Sequence, residues 1–482
     1  MKKNIYKNYL YNISYQITVI LLSLATTPYI ARVIGAEGIG EYTYTQSITY
    51  YFILFGCIGL NLYGQREIAY VQEDKIKISK TFWELISIRL ISNIISMVLF
   101  IIFFVKGSEY HTLFLIQILD IVGAFFDISW FFQGLEDFKK IAYRNFFVKL
   151  LGVICIFLLI KTPSDLNLYV FCYSITILIG NISMWFNLPK IITRIKIKEL
   201  SLIKHLKPTF LLFIPQVATS IYTVMDKTMI GTLTGIQSEV AFYEEAQKIV
   251  RVALTFITSV GLVMLPRVSN VYSKNDNNKV IEYLRKSFKF VFMISMPLAF
   301  GLASISNKLI PCFLGDGYEK VALNLIVISP IIIIMGITNV IGTQYLLPVK
   351  RQKEYLLSII IGTCVNLVVN YILIPNMLSL GAAIGSVIAE IIIMICQIYF
   401  VKKEFDFKSI FSGLWKYILA SIIMLFIIII LDELLPVKIT SVFIQIIIGG
   451  IIYFLSLILM RDSELIKYID KLKNRFKEQK DE

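Results

Sequence analysis

The sequence predicts an all-α membrane protein of about fourteen transmembrane helices, built on a duplicated half, and three observations predict it. Of 482 residues, 57% are hydrophobic and only 17% are charged. Continuous apolar runs of eighteen residues or more recur along the whole chain, as spanning helices require. A transmembrane β-barrel would alternate apolar and polar positions instead. Second, lysine and arginine alternate from one connection to the next. Third, a glycine-rich motif near the N-terminus returns about 200 residues later.

The spans are expected at roughly 8–33, 41–63, 82–105, 111–133, 139–160, 166–188 and 208–231, then 240–264, 284–305, 322–346, 355–375, 381–401, 411–432 and 439–460. Each has about 20 residues or more, enough to cross about 30 Å of hydrocarbon. Lys2 and Lys3 before an apolar stretch, with Ser23-Leu24-Ala25 after it, have the outline of a secretory signal. The stretch runs on to Val33, too long for such a signal, and is read as the first span. No soluble domain fits between the spans. The longest outer connection is expected at Ser306–Val321.

If the N-terminus is cytoplasmic, thirty-five of the 47 lysines and arginines fall in inner connections and the tail, six in outer connections and six within spans. This bias places both termini inside. It also assigns the net charge of +14 to topology and anionic lipid headgroups rather than to nucleic acid. After Met460, Leu465, Ile469, Leu472 and Phe476 share one face of a short basic helix, residues 461–482, expected to lie on the inner leaflet. The six cysteines are dispersed with no Cys-x-x-Cys, and two histidines cannot form a cluster, so neither a disulfide framework, a metal site nor a cofactor is expected.

The repeated motif begins at Pro28-Tyr-Ile-Ala-Arg-Val-Ile-Gly-Ala-Glu-Gly-Ile-Gly-Glu-Tyr42 and returns at Met229-Ile-Gly-Thr-Leu-Thr-Gly235, followed by Tyr243. Gly35 pairs with Gly231 and Gly38 with Gly235. Tyr42, Gln46 and Arg66 pair with Tyr243, Gln247 and Arg267 at one shared offset. A period this long fits a duplicated half, as in transporters with internal repeats, rather than a solenoid.

Ionisable groups inside spans are costly and mark function. Span seven carries Gln216, Ser220, Thr223 and Lys227 at helical spacing, with Asp226 about 100° away. Span eight aligns Glu244, Lys248, Arg251, Thr255 and Thr258. Span two opens with Tyr42, Gln46 and Thr49. Arg89 sits in span three, with Asp120 and Asp127 in span four as neutralising candidates. These stripes suit a wet cavity with a cationic wall of Arg89, Lys227, Lys248 and Arg251, able to hold a phosphate-bearing headgroup. Internal pairing, Glu244 with Lys248 above all, is the other reading. Asn366 and Asn370 share a face of span eleven, and Glu390 is mid-span twelve. With Asp226 they offer oxygens to a coupling Na⁺ or proton, or simply bond between helices.

Pro28–Tyr42, Tyr63-Gly-x-Arg-Glu-Ile-Ala69 and Asp226-Lys-x-Met-Ile-Gly231 together resemble the Wzx-type flippases of the multidrug/oligosaccharidyl-lipid/polysaccharide exporter superfamily. The similarity extends over essentially the whole chain. It implies two pseudo-symmetric six-helix lobes, residues 1–200 and 201–405, with two C-terminal helices appended over 406–460. It implies export of undecaprenyl-diphosphate-linked oligosaccharide repeat units across the bacterial cytoplasmic membrane, for capsule or O-antigen assembly, by ion-coupled alternating access. The cationic wall would take the diphosphate, and Tyr42, Gln46, Gln216 and Thr223 the sugar. A polysaccharide polymerase and chain-length machinery are the implied partners, besides membrane lipids. The related lipid II flippases have arginines within the first two helices, and the interiors of spans one and two here have none. Asp226, Asn366 and Asn370 are similar to the sodium site of those flippases, with an amide at Asn370 in place of a carboxylate. The alternatives are a cation-coupled small-molecule antiporter of the same superfamily and a membrane glycosyltransferase or polymerase. No covalent chemistry is needed for the first reading.

Overall fold

Two residues outside helical geometry, Gly35 (φ 80°) and Leu378 (φ 55°), each sit inside what is otherwise one long helix. The computed structural model describes residues 5–462 and 464–466. Its helices are α1 (Ile5–Cys57), α2 (Leu60–Val71), α3 (Lys75–Phe100), α4 (His111–Phe126), α5 (Ser129–Gly134), α6 (Phe138–Leu159), α7 (Leu166–Trp185) and α8 (Ile203–Thr234). They continue with α9 (Gln237–Ser273), α10 (Asn277–Phe313), α11 (Glu319–Ile328), α12 (Ile331–Thr338), α13 (Gln352–Val401), α14 (Phe407–Ile410), α15 (Leu414–Leu434) and α16 (Ile439–Leu459). Among the described residues, eleven segments are long and apolar enough to cross a membrane. The chain is an all-α multi-span membrane protein.

The expected spans map onto these helices with instructive differences. Spans one and two share α1 across Gly35, and spans eleven and twelve share α13 across Leu378. Span two does not run unbroken to residue 63, because Ile58 and Gly59 both take positive φ before α2 begins. Span four is interrupted at Asp127, whose carboxylate accepts the Ser129 amide at 2.9 Å and starts α5. The outer connection expected at 306–321 is shorter, since α10 continues to Phe313 and α11 starts at Glu319. The basic tail beyond residue 466 lies outside the described residues.

The duplication has a geometric signature that revises the sequence pairing. Gly35 breaks the helix between spans one and two, and Gly235 (φ 68°) breaks it between α8 and α9. Both take a positive φ that side chains disfavour. Gly35 is therefore the counterpart of Gly235, not of Gly231. Gly231 serves packing, since a Cβ there would run into the Tyr44 ring.

The chain divides into two compact units after Ala241. In the first, α1 packs on α3, α4 and α6, and α7 packs on α4 and α6. An aromatic cluster of Phe82, Trp130, Phe131 and Phe132 joins α3 to α5, all nearly inaccessible. In the second, α15 and α16 pack on each other and on α10. The Tyr453 hydroxyl donates to the Met293 carbonyl at 2.9 Å, and Lys308 pairs with Asp432 at 3.1 Å, which also accepts from Gln445. Lys308 is thus buried within α10 rather than in an outer connection. Lipid tails are as apolar as leucine, so close packing and interhelical hydrogen bonds carry the association inside a membrane. Large apolar side chains such as Phe103, Phe147 and Ile447 remain exposed on helices of this kind, as lipid-facing residues do.

Candidate functional site

In the first unit, α1 presents a polar stripe inward. Gln46 Nε2 donates to the Tyr42 hydroxyl at 2.7 Å, and the Tyr42 ring meets Tyr169 and Tyr173 edge-on at 5.3 and 6.0 Å. One turn on, Thr49 donates to Gln117 Oε1 at 2.7 Å, and Gln117 Nε2 donates back to Thr45 at 3.0 Å. The helical spacing of residues 42, 45, 46 and 49 makes this one face. Asp120 stands one turn beyond Gln117 on α4, with a buried carboxylate oxygen that has no hydrogen-bond partner among the described residues.

Arg89 is placed differently from the sequence expectation. It is 1% exposed. One guanidinium nitrogen donates to Asn61 Oδ1 at 3.0 Å, and another to Cys57 Sγ at 3.3 Å and to the Ala124 carbonyl. Ala124 lies in the last turn of α4, where carbonyls lack intrahelical donors and a cation is favoured. None of its partners among the described residues is a carboxylate. Asp127 instead faces Ser129 and, at 4.0 Å, Arg144. In this structure Arg89 is a bolt joining α3 to α1, α2 and the end of α4, not a wall of open space.

On α8, Gln216 and Lys227 are half-buried, Thr223 is exposed and donates to the Ser220 carbonyl, and Asp226 is buried. Sequence reading passed over a network at the start of the same helix. Glu84, fully buried on α3, accepts from Lys204 at 2.8 Å, meets His205 Nε2 at 2.9 Å and accepts from the Ser201 amide at 2.8 Å. His205 Nδ1 in turn meets the Tyr63 hydroxyl at 2.8 Å. The signal was present in a glutamate two residues inside span three and a histidine three residues before span seven.

In the second unit, α9 carries the remaining cations. Lys248 Nζ pairs with Glu245 Oε1 at 2.7 Å, and Arg251 with Glu244 Oε1 at 2.5 Å. The carboxylates are buried, at 2% and 9% side-chain exposure, while the cations stand 42% and 46% exposed. The Glu244–Arg251 pair spans two turns, a separation the usual three- and four-residue rule does not cover. Also in this unit, the Tyr243 hydroxyl meets Ser386 Oγ at 2.8 Å and accepts from Gln247. Asn370 Nδ2 donates to Asn366 Oδ1 at 3.3 Å, and both asparagines and Glu390 are buried on α13. A Cβ at Gly385 would collide with Asn370 Oδ1, so the second half of α13 passes close over the asparagine pair. Asp226 belongs to the first unit and Asn366, Asn370 and Glu390 to the second.

The family described as "Polysaccharide biosynthesis protein" matches residues 5–272, more than half of the chain. The chain belongs to that family. A second family, MatE, matches residues 211–372. Among curated relatives, the "Putative O-antigen transporter" of Escherichia coli K12 is 25% identical over 411 residues, covering 84% of this chain and 98% of the relative. The "Capsular polysaccharide biosynthesis protein CapF" of Staphylococcus aureus is 25% identical over 395 residues, 78% and 94% of the two chains. Among solved structures, lipid II flippase MurJ in an inward closed conformation superposes with a TM-score of 0.74 at 21% identity, covering 94% of this chain and 99% of MurJ. An inward-facing multidrug resistance MATE transporter gives 0.61 at 15% identity, covering 82% and 95%. These likenesses fix the fold as that of multi-span transporters. This member of the polysaccharide biosynthesis family is a multi-span membrane protein with that fold.

Proposed function

We propose that this protein moves a polyisoprenyl-diphosphate-linked oligosaccharide, of the undecaprenyl type, from the inner to the outer leaflet of the bacterial cytoplasmic membrane. The observation that carries the reading is the geometry of Lys248 and Arg251. Each holds a buried carboxylate behind it while its own side chain stands nearly half exposed. The buried carboxylate has lost its water while the cation keeps part of its own, so the pair leaves the cation with hydrogen-bonding capacity to spare. A diphosphate approaching from the open side adds charge-assisted hydrogen bonds without displacing the carboxylates. An antiporter for organic cations would present the carboxylates instead.

Lys227, half-buried on α8, is a separate candidate phosphate contact in the first unit. Gln216 and Thr223 lie on its helix and supply amide and hydroxyl groups for sugar. Tyr42 and Gln46, bonded to each other on α1, are the further proposed sugar contacts. The cycle is alternating access with both termini cytoplasmic, the headgroup crossing in water and the polyisoprenyl chain staying in lipid. Coupling draws on Na⁺ or H⁺. The buried amides of Asn366 and Asn370 with the Glu390 carboxylate form a set of hard oxygen donors that suits either.

The test is accessibility of a lipid-linked oligosaccharide to a membrane-impermeant probe in proteoliposomes. Crossing should depend on the protein and, per folded molecule, fall severalfold in the Lys248→Gln/Arg251→Gln variant, beyond any loss of folded protein caused by the unpaired carboxylates. Efflux of cationic dyes without lipid crossing would replace this reading with the antiporter.

A further inference from the structure

We infer that the first unit holds a binding furrow for the polyisoprenyl chain, formed by α1, α3 and the two ends of α8. The inference rests on the flippase reading for the identity of the lipid, and on cavity geometry for the site.

Two cavities adjoin. One, of about 440 Å³, is walled by Phe55, Ile88, Ile91, Ile95 and Leu206 and has almost no polar surface. The other, of about 630 Å³, is lined by Tyr44, Tyr51, Thr228 and Thr232 as well as apolar residues. Phe52, Phe55 and Leu99 line both, so they form one continuous trough. Along α3 and the π-helical turn that follows it (Ile101–Val105), it runs from Ile88 to Phe104, about 24 Å at roughly 1.5 Å per residue, most of the depth of a bilayer's hydrocarbon.

The floor is built, not incidental. Ser92 and Ser96 line it, yet each donates its hydroxyl across to α1, to the Gly56 and Phe52 carbonyls at 2.6 Å. The hydroxyls are consumed by helix pairing and leave an apolar face. The close approach depends on Gly56, where a Cβ would sit 2.9 Å from Asn93 Nδ2. Both walls stay open sideways, with Phe55, Ile91 and Ile95 each more than half exposed. At the other end hydroxyls gather, with Tyr44 3.4 Å from Thr232 and Thr228 3.5 Å from Tyr51. A trough apolar along one length and hydroxyl-lined at one end fits a molecule with a long hydrocarbon chain and an oxygen-rich head. In the orientation given by the lysines and arginines, the hydroxyl end faces the outer leaflet.

The experiment is photolabelling in vesicles of phosphatidylethanolamine and phosphatidylglycerol with a diazirine-bearing polyisoprenyl diphosphate. Adducts are mapped by mass spectrometry, with lipid crossing measured in parallel. Adducts are expected on residues 52–58 and 88–99, displaced by unlabelled polyisoprenyl diphosphate but not by excess phospholipid. Ile95→Trp and Leu99→Trp, both at exposed positions, should fill the trough and lower labelling severalfold with thermal unfolding unchanged. Equal displacement by phospholipid would mean that bulk acyl chains fill the furrow, and would overturn the inference. So would adducts confined elsewhere while wild-type protein still supports crossing, an outcome that leaves the flippase standing. Competed adducts in the furrow without any crossing would keep the site and remove the flippase.

Discussion

Gln247 donates its side-chain amide to the Tyr243 hydroxyl as Gln46 does to Tyr42, so the same bond recurs at the same place in the two halves of the chain. The two pairs differ in what surrounds them. Tyr243 is fully buried and also meets Ser386 at 2.8 Å, bridging α9 to α13, whereas Tyr42 packs among other tyrosines. Tyr243→Phe should therefore be the costlier change, by about 1–3 kcal/mol, since it leaves buried polar groups unpaired. Thermal unfolding in detergent would show it as a lower midpoint than Tyr42→Phe. Equal midpoints would mean that the Ser386 contact adds nothing.

Sequence made the repeat visible through Tyr, Gln and Arg at a constant offset, because those residues are held in register by helices of equal length. It misaligned the glycines, because a Gly-x-x-Gly and a Gly-x-x-x-Gly pattern can be slid against each other until a backbone angle decides which glycine does the turning. The α-helical membrane class was legible, since continuous apolar runs have no other common solution. The partnership of Arg89 was not. A cation inside a span announces that something pairs with it, but its partners here are an amide, a thiol and a carbonyl, which carry no charge pattern for sequence to match. The Glu84–His205 network was hidden for a related reason: its members are 121 positions apart and each looks like an ordinary span end.

Arg89 should behave as a structural residue. Its guanidinium serves three acceptors from a 1%-exposed position. Arg89→Lys keeps the charge but loses the planar fork. With each lost hydrogen bond to a charged group worth roughly 1.5–3 kcal/mol, the variant should unfold at clearly lower temperature. Arg89→Lys with wild-type stability and abolished lipid crossing would instead put the arginine in the transport pathway.

Glu84 is expected to be intolerant of truncation. It is fully buried and satisfies Lys204, His205 and the Ser201 amide together. Glu84→Ala would leave all three without that acceptor; Lys204, half exposed, can turn to water, but each buried hydrogen bond lost to the charged group costs roughly 1.5–3 kcal/mol. The resulting loss of folded protein is read by size-exclusion chromatography. His205→Phe should be milder, because Glu84 keeps Lys204 and Ser201 while only the Tyr63 hydroxyl and one carboxylate contact are lost.

Glycine substitutions separate close packing from empty space. A Cβ at Gly40 would overlap the Gln237 carbonyl, a backbone atom that cannot swing away. Gly40→Ala should lower the unfolding midpoint or block folding. At Gly450 on α16 no heavy atom lies within 4 Å of an added Cβ. Gly450→Ala should then be neutral or stabilising by up to about 1 kcal/mol, from helix propensity alone. A midpoint that falls equally in both variants would contradict the close approach at Gly40.

The carboxylates behind the α9 cations supply the most direct functional prediction. Glu244 is 9% exposed and holds Arg251 at 2.5 Å, so part of the guanidinium's hydrogen-bonding capacity is already spent before an anion arrives. Glu244→Gln removes the negative charge but keeps the shape. Arg251 then presents an uncompensated positive charge, and a diphosphate should bind more tightly, most evidently at low ionic strength where screening is weak. Tighter binding of the ground state without a matching gain for the crossing state would slow release. The variant should therefore show lower half-saturation for the lipid diphosphate together with a lower maximal crossing rate. Arg251→Gln should do the reverse to half-saturation. A Glu244→Gln variant whose half-saturation is unchanged at both high and low salt would show that the diphosphate does not meet Arg251.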